Sequence, residues 1–216
     1  MRGGRGVDDQ RLRVSHVGEQ REELGSVDQG PGHGVATLHA EGEDAPEATD
    51  ELLRANAEYA KKFDRGDLPM PPARRVAILT CMDARIVPSR AFGLEEGDAH
   101  VIRNAGGRAR DALRSLVISQ RLLGTNEIVV IHHTDCGMLT FSNRDLHAKV
   151  KQDLGADSSN IDFLPFTDVE ESVREDVAFL LSSPLIPGNI EIRGFVYDVR
   201  TGKLNEVNFE PALERK

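Results

Sequence analysis

Both cysteines of the chain lie in short motifs that contain other possible metal ligands. One motif is HHTDCG, in which two residues separate His133 from Cys136, and the other is CMDAR, which begins at Cys81. A catalytic zinc ion takes three protein ligands from cysteine, histidine and carboxylate side chains and leaves a fourth position for water. Two thiolates and one imidazole suit zinc better than the other common ions. The two motifs therefore predict Zn²⁺ held by Cys81, His133 and Cys136.

A simpler interpretation is that the cysteines are two unrelated buried thiols, since a free cysteine packs as a small hydrophobic residue. A single H-x-x-C motif is also weak evidence, because it often arises by chance. Position favours metal binding, since each motif follows a short apolar run that predicts a buried strand. A Cys₂His set without a fourth ligand also favours an open catalytic site over a closed structural one.

Asp83 and Arg85 lie beside Cys81 and allow two interpretations. If exposed, they would form an ordinary ion pair worth about 0–1 kcal/mol. Next to a zinc ligand, Arg85 would instead hold the Asp83 carboxylate ionised through bidentate hydrogen bonds. Asp83 could then accept a hydrogen bond from zinc-bound hydroxide and orient this nucleophile toward an electrophile. We favour the second interpretation, in which Asp83 and Arg85 are a catalytic dyad.

The elements that must position these motifs follow from hydrophobic periodicity. Apolar runs predict strands at 76–79, 99–102, 128–131 and 190–199. Helical spacing and capping patterns predict helices at 49–63, 89–94, 111–123, 138–154 and 167–181. This alternation indicates an α/β fold with a mostly parallel central sheet flanked by helices, in which binding sites gather at the carboxyl ends of strands. Gly106 and Gly107 follow the second strand and favour a close backbone approach over a phosphate loop.

Composition limits the possible functions and locations. The formal net charge of −9 over 216 residues argues against nucleic-acid binding, because phosphate contacts need a basic surface. No run approaches the roughly 18 consecutive apolar residues of a membrane span. Residues 1–47 lack a hydrophobic period and predict a disordered extension, or a mis-assigned start codon, before one catalytic domain at 48–216. No apolar stretch of a secretory signal follows the N-terminus, so we expect a cytoplasmic protein.

The pattern Cys81-x-Asp83-x-Arg85, followed along the chain by His133-x-x-Cys136-Gly137, resembles the signature of the β-class carbonic anhydrases. The intervening segment VIRNAG, which begins at Val101, is similar to that family as well. The motifs TCMDAR and HHTDCGM are nearest to those of the short bacterial members. Many members have Ser where Ala84 stands, a difference that we expect to be minor.

The resemblance implies a zinc enzyme that hydrates carbon dioxide reversibly to bicarbonate and a proton. It implies Cys81, His133 and Cys136 as the ligands, Asp83 and Arg85 as the dyad, and a homodimer or higher even oligomer with active sites near the subunit interface. Some family members move the aspartate onto zinc and switch the enzyme off. By that analogy, Asp83 would be a fourth ligand in a closed state and would be released when Arg85 binds it.

Several residues near the motifs keep more than one interpretation. Gly137 either exposes its N–H to substrate at a helix start or permits a tight turn. Asp135 is either a residue that supports the metal ligands from outside the coordination shell or a helix N-cap. Neighbouring strand residues point to opposite faces, so His132 is expected to be packed or hydrogen-bonded rather than a ligand. The other histidines have no partner at ligand spacing and are expected on the surface or in the tail: His33, His39, His100 and His147.

Two alternatives to carbon dioxide hydration remain open at the level of sequence. The first is hydrolysis of carbonyl sulfide or carbon disulfide, which relatives of the resembled family carry out with the same ligands. The second is a zinc-binding structural or regulatory protein without turnover. Asp83 and Arg85 argue for chemistry, because a purely structural site does not need them.

Overall fold

The computed structural model describes residues 48–209. Strands and helices alternate from α1 to α4 and are followed by α5, β4 and β5, with single 3₁₀ turns at Ala105–Gly107 and Gly137–Leu139. The order is α1 (Ala48–Ala60), β1 (Val76–Cys81), α2 (Pro88–Phe92), β2 (His100–Asn104), α3 (Ala109–Leu123), β3 (Glu127–His133), α4 (Asn143–Leu154), α5 (Val169–Ser182), β4 (Glu191–Tyr197) and β5 (Leu204–Glu206). The expected disorder of residues 1–47 and the end of the domain at 210–216 lie outside the described residues.

The strands form one five-stranded sheet in the order β2-β1-β3-β4-β5. The pairs β1–β2, β1–β3 and β3–β4 are parallel, whereas β5 pairs with β4 in the antiparallel direction. The predicted α/β fold with a mostly parallel sheet is therefore confirmed. Strands β1 and β3 are neighbours at the centre, so their carboxyl ends meet at one edge of the sheet.

Helices and loops cover both faces of the sheet. All six residues of β1 are buried, as expected for a parallel strand between two covered faces. On one face, buried side chains of α3 and α5 pack on the central strands. Leu116 of α3 and Val177 and Leu180 of α5 share this core with Leu79 of β1 and Val130 of β3. On the other face, Ile78 and Ile131 pack with Phe92 of α2 and Phe195 of β4. Leu116, within the helix predicted at 111–123, is thus part of the core.

The predicted helix at 138–154 is interrupted in the structure. A 3₁₀ turn at Gly137–Leu139 comes first, and α4 begins only at Asn143. Ser142 sets this start, because its side chain accepts a hydrogen bond from the Asp145 N–H while the Asp145 carboxylate accepts one from the Ser142 N–H. Such a capping box fixes a helix N-terminus more strongly than apolar spacing does.

The N-terminus of α5 also differs from the prediction. The capping box expected to begin at Thr167 is displaced by one residue, since Asp168 is the N-cap and accepts a hydrogen bond from the Glu171 N–H at 2.8 Å. Aspartate satisfies an exposed helix N–H as well as threonine does and adds favourable charge at the positive end of the helix dipole. The helix therefore begins at Val169.

The chain divides into one unit that ends at Asn56 and another from Ala57 onward, and every described strand lies in the second unit. Among residues 48–209, the helices lack the length and apolarity of a membrane span.

Candidate metal centre

The three predicted metal ligands meet at the carboxyl edge of the central strands. Cys81 is the last residue of β1, His133 is the last residue of β3, and Cys136 lies in the following turn. Their possible ligand atoms all lie within 4.8 Å of one another. The residues are almost completely buried, with exposed fractions of 5% for Cys81, 0% for His133 and 3% for Cys136. Two chain segments far apart in sequence therefore bring a Cys₂His donor set together, as the motifs predict.

The His133 imidazole is oriented for metal binding through its Nε2 atom. Its Nδ1 lies 2.9 Å from the Thr134 carbonyl oxygen, which can only accept a hydrogen bond, so Nδ1 carries the proton. Nε2 is then left with a free lone pair, and it is buried without a hydrogen-bond partner. A buried polar atom without a partner is unfavourable unless a ligand fills the position. A metal ion between the imidazole and the two thiols fits this arrangement.

The two thiols interact with each other and with backbone amides. The hydrogen bond between Cys136 and Cys81 lowers the pKa of the Cys81 thiol, and burial opposes this shift. The neighbouring His133 imidazole and the backbone N–H groups of Asp83 and Gly106 lower the pKa further. The same hydrogen bond raises the pKa of the Cys136 thiol, while the Met138 N–H opposes this shift. The backbone thus directs N–H donors at both sulfur atoms, which favours the thiolate forms that a metal ion requires.

Asp83 and Arg85 form a bidentate pair directly beside the three donors. The Arg85 guanidinium donates to Oδ1 of Asp83 at 3.0 Å and to Oδ2 at 2.7 Å, and the Arg85 N–H donates to Oδ1 at 2.8 Å. Chiefly because of these hydrogen bonds, the pKa of Asp83 is lowered to about 2, so the carboxylate is ionised at neutral pH. Oδ2 lies 3.8 Å from Nε2 of His133. The carboxylate therefore faces the position that the donors surround.

Asp135 is a second partner of Arg85. Its carboxylate accepts a hydrogen bond from the guanidinium at 2.7 Å, and its carbonyl oxygen accepts another at 2.8 Å. Asp135 has a φ of +55°, which turns the chain sharply between the two ligands of the second motif. The N-cap interpretation is wrong, because the following 3₁₀ turn has Cys136 at that position and no side-chain cap. The other interpretation, a residue that supports the metal ligands from outside the coordination shell, agrees with this contact.

Arg103 was not identified from the sequence, although it lies within the VIRNAG segment. Its guanidinium donates to the carbonyl oxygens of Cys81 at 2.9 Å and of Asp83 at 2.7 Å. The parallel register places Arg103 of β2 opposite Thr80 of β1, one residue before Cys81. An arginine at the end of the strand beside a ligand strand is the signal that could have revealed this contact.

Gly107 and Gly137, both near the site, differ in how closely other atoms surround them. A Cβ on Gly107 would lie 3.0 Å from the Thr80 carbonyl carbon and 3.1 Å from the Cys81 nitrogen, so the expected close backbone approach is confirmed. A Cβ on Gly137 would meet no atom within 4 Å, so steric demand does not explain this glycine. Gly137 is exposed at the start of the 3₁₀ turn that follows the ligands.

Three comparisons relate this site to known proteins. The family model described as carbonic anhydrase matches residues 76–204, which include both motifs. β-Carbonic anhydrase 1 of Mycobacterium tuberculosis is 48% identical over 162 residues, which cover 74% of this chain and 97% of the relative. The chain belongs to the β-carbonic anhydrase family.

Two further proteins are similar to this chain over most of their length. The crystal structure of the carbonic anhydrase from Streptococcus mutans has a TM-score of 0.72 and 53% identity, and the match covers 76% of this chain and 99% of that chain. A carbon disulfide hydrolase of Saccharolobus solfataricus is 35% identical over 185 residues, which cover 74% of this chain and 89% of the relative. As a member of the β-carbonic anhydrase family, the chain is an enzyme of the lyase class, and its Cys–His–Cys cluster can bind a metal ion.

The remaining histidines of the described residues do not join this cluster. His132 is fully buried, its Nδ1 lies 2.7 Å from the Ser172 hydroxyl, and its ring stacks on Phe166, which confirms a packed and hydrogen-bonded side chain. His100 and His147 are half-buried rather than on the surface, because their Nδ1 atoms contact Ser119 and Ser158 at 2.7 and 3.0 Å. His33 and His39 lie outside the described residues.

Proposed function

We propose that the chain is a zinc-dependent carbonic anhydrase that converts carbon dioxide and water reversibly to bicarbonate and a proton. One observation carries the proposal: Nε2 of His133 is buried without a partner within a cluster of donor atoms that lie at most 4.8 Å apart. Cys81, His133 and Cys136 would hold the ion. A zinc ion at this place lowers the pKa of water toward about 7 and so provides the nucleophile at neutral pH.

The chain's own residues would orient that nucleophile. The Asp83 carboxylate is ionised and accepts hydrogen bonds only, so it can accept a hydrogen bond from a water molecule and hold that water in one orientation. Arg85 holds the carboxylate by two guanidinium hydrogen bonds, and Asp135 holds Arg85 in turn. This chain of contacts supports Asp83 and Arg85 as the catalytic dyad. The exposed N–H of Gly137 is a further candidate for contact with the substrate.

The apolar side chains packed beside the ligands suit an uncharged substrate. Cys81 and Cys136 belong to one buried apolar cluster with Ile86, Met138 and Phe166. Carbon dioxide has no net charge or dipole and partitions readily into apolar surroundings, whereas bicarbonate is charged and is better solvated outside them. The apolar wall therefore favours binding of the gas and release of the anion.

Asp83 also provides a candidate fourth ligand. Its Oδ2 lies 3.8 Å from Nε2 of His133, so a modest movement of the side chain would bring a carboxylate oxygen to the position that the three donors share. Arg85 opposes this movement by holding both oxygens. We therefore interpret the observed arrangement as the open state, and we expect a closed state only when Arg85 releases the carboxylate.

Carbon disulfide hydrolysis is a second candidate, favoured by the similarity to the carbon disulfide hydrolase of Saccharolobus solfataricus, which is 35% identical. Purified chain should be assayed by stopped-flow hydration of carbon dioxide and by sulfide release from carbon disulfide, with zinc content measured on the same preparation. Rapid hydration that scales with zinc content and little sulfide release is the expected result. Sulfide release without hydration would favour the second candidate, and stoichiometric zinc without either reaction would contradict both.

We also infer a homodimer or higher even oligomer, in the cytoplasm. Strand β2 is an edge of the sheet in the described chain, its Val101 is 40% exposed, and both side-chain polar atoms of Gln120 on α3 are buried without partners. A second copy of the chain against this edge would shield the apolar surface. A reducing compartment would keep both cysteines, which are free here, as thiols. Light scattering after gel filtration tests the assembly, and a monomer at micromolar concentration would contradict it.

A further inference from the structure

A buried carboxylate, that of Asp176, lies on α5. Asp176 is only 1% exposed, and the His132 side chain that it contacts is fully buried. Taking a carboxylate out of water is unfavourable unless its oxygens are well bonded. Replacing a buried ion pair with apolar residues is often neutral or stabilising, so stability alone does not account for this group. The residues that bond to the Asp176 carboxylate should therefore indicate what it does.

Asp176 bonds to two segments at once. Its Oδ2 accepts a hydrogen bond at 2.9 Å from the N–H of Ala109, the first residue of α3, and lies 3.2 Å from Nε2 of His132. The same Nε2 lies 3.2 Å from the Gly107 carbonyl oxygen. Because both neighbours of Nε2 are acceptors, this nitrogen carries a proton that the carboxylate and the carbonyl share. The Arg108 guanidinium lies 3.6 Å from the other carboxylate oxygen.

Both segments continue directly into the metal centre. His132 precedes the ligand His133 on β3, so fixing the His132 ring restrains the backbone that carries the His133 imidazole. Gly107, two residues before Ala109, packs against the Cys81 nitrogen. Asp176 thus contacts the side chain that precedes the ligand His133 and, at Ala109, the chain that follows the turn packed against Cys81, although it touches neither ligand.

We propose that Asp176 is a positioning residue for the metal centre: it holds the His132 ring directly and the Gly106–Gly107 turn through Ala109 and His132, and so sets the separation between the His133 and Cys81 donors. This role rests on metal binding by Cys81, His133 and Cys136 in the proposed function. Ser172 assists from the same helix, because its hydroxyl lies 2.7 Å from Nδ1 of His132 and fixes the ring from its other side.

The test compares Asp176→Asn with the matched control Glu175→Gln. Glu175 is the adjacent residue on α5 and also bonds to Arg108, but it is 56% exposed and contacts neither His132 nor Ala109. Three quantities are measured for the full-length chain: the zinc dissociation constant by chelator competition, the thiolate-to-metal absorption bands after cobalt substitution, and the urea unfolding of the metal-free protein. Cobalt absorption reports ligand geometry independently of activity.

We expect Asp176→Asn to weaken zinc binding about 10-fold, at the low end of the range for residues that support metal ligands, and to shift the cobalt bands. Glu175→Gln should leave both unchanged. If Asp176→Asn unfolds more easily but binds zinc with the parent affinity and keeps the parent cobalt spectrum, Asp176 is merely structural and the proposal is overturned. A parent chain that binds neither metal would contradict the proposed function itself, which is a different failure.

Ser172→Ala decides the question if Asp176→Asn yields no folded chain. It removes only the hydroxyl on Nδ1 of His132 and leaves the carboxylate in place. We expect about 3-fold weaker zinc binding, the equivalent of one weak neutral hydrogen bond, together with a cobalt band shift. Parent affinity and an unchanged spectrum in this variant would overturn the positioning role.

Discussion

The Asp83 carboxylate lies 3.8 Å from Nε2 of His133 while both of its oxygens accept hydrogen bonds from the Arg85 guanidinium. The two contacts compete for one side chain, since a carboxylate held by Arg85 cannot also approach the centre of the donor cluster. We therefore propose that Arg85 controls whether Asp83 is an oriented acceptor or a fourth ligand.

Arg85→Leu tests this control. Without the guanidinium, Asp83 should move onto the metal, so the variant should keep its zinc but lose at least about 10-fold in carbon dioxide hydration. Cobalt substitution should then show one additional oxygen ligand and weak binding of small anions. Arg90→Leu, on the exposed part of α2, is the matched control. Parent-like turnover in Arg85→Leu would contradict the interpretation of Asp83 and Arg85 as a dyad.

Asp83→Asn separates metal binding from chemistry. The amide keeps the shape of the side chain but loses its charge and one acceptor, so zinc content should stay at the parent level while turnover falls by about 10–100-fold. Stopped-flow hydration and metal analysis on one preparation check both quantities. A variant that hydrates carbon dioxide at the parent rate would exclude a role for this carboxylate in turnover.

The donor set itself is tested by His133→Gln and Cys136→Ser. Each change removes one ligand from a buried site, so each variant should lose zinc and activity together. His147→Gln is the matched control, because His147 is also half-buried and hydrogen-bonded but lies outside the cluster. Stoichiometric zinc in either ligand variant, measured by atomic absorption after gel filtration, would contradict the assignment.

Gly107→Ala should destabilise the fold around the site. Its Cβ would lie 3.0–3.2 Å from backbone atoms of Thr80, Cys81 and Ile131, at a φ of +71°. Backbone cannot move aside easily, so overpacking of about 1–3 kcal/mol adds to a left-handed penalty of about 1–2 kcal/mol. Gly124→Ala, with a similar φ of +72° and no atom within 4 Å, should show only the second effect. Urea unfolding of both variants measures the difference, and equal losses would contradict the steric argument.

The stability that Asp162 contributes in the loop before α5 should decrease at acidic pH. The Asn143 side chain and the Leu164 N–H donate to the Asp162 carboxylate and lower its pKa. A lowered pKa in the folded state contributes stability that is fully present above the unfolded value of about 3.9 and is lost as the pH falls below it. The difference in unfolding free energy between the parent and Asp162→Asn should therefore be constant above about pH 5 and should shrink below about pH 4. A difference that is independent of pH would contradict this assignment.

Sequence patterns predicted the sheet and the donor cluster because both depend on local signals. A wholly apolar run such as β1 has no stable position except between two covered layers, and parallel strands bring their carboxyl ends to one edge. Once Cys81 and His133 are assigned to the ends of neighbouring strands, their meeting follows from topology. The packed side chain of His132 follows equally from alternation along β3.

Features that depend on long-range partners were not predictable. The contact between Asp176 and His132 joins α5 to β3, and nothing within α5 distinguishes this aspartate from its exposed acidic neighbours. Helix starts were missed for a different reason. Ser142 is an N-cap inside a stretch whose apolar spacing favours an earlier start, and at α5 the chain uses Asp168 rather than the adjacent candidate Thr167. Capping is decided by one hydrogen bond, which periodicity does not register.

The unpartnered Nε2 atom of His133 makes the stability of the folded protein depend on the concentration of the metal ion. An ion that binds only the folded chain adds about 2.7 kcal/mol to the unfolding free energy when its free concentration is 100 times the dissociation constant, and adds almost nothing when it is scarce. Under metal starvation the chain would forfeit this contribution and keep an uncompensated polar atom in its interior. The unfolded fraction, which is open to proteolysis, would then rise, so metal starvation would lower the amount of the protein as well as its activity.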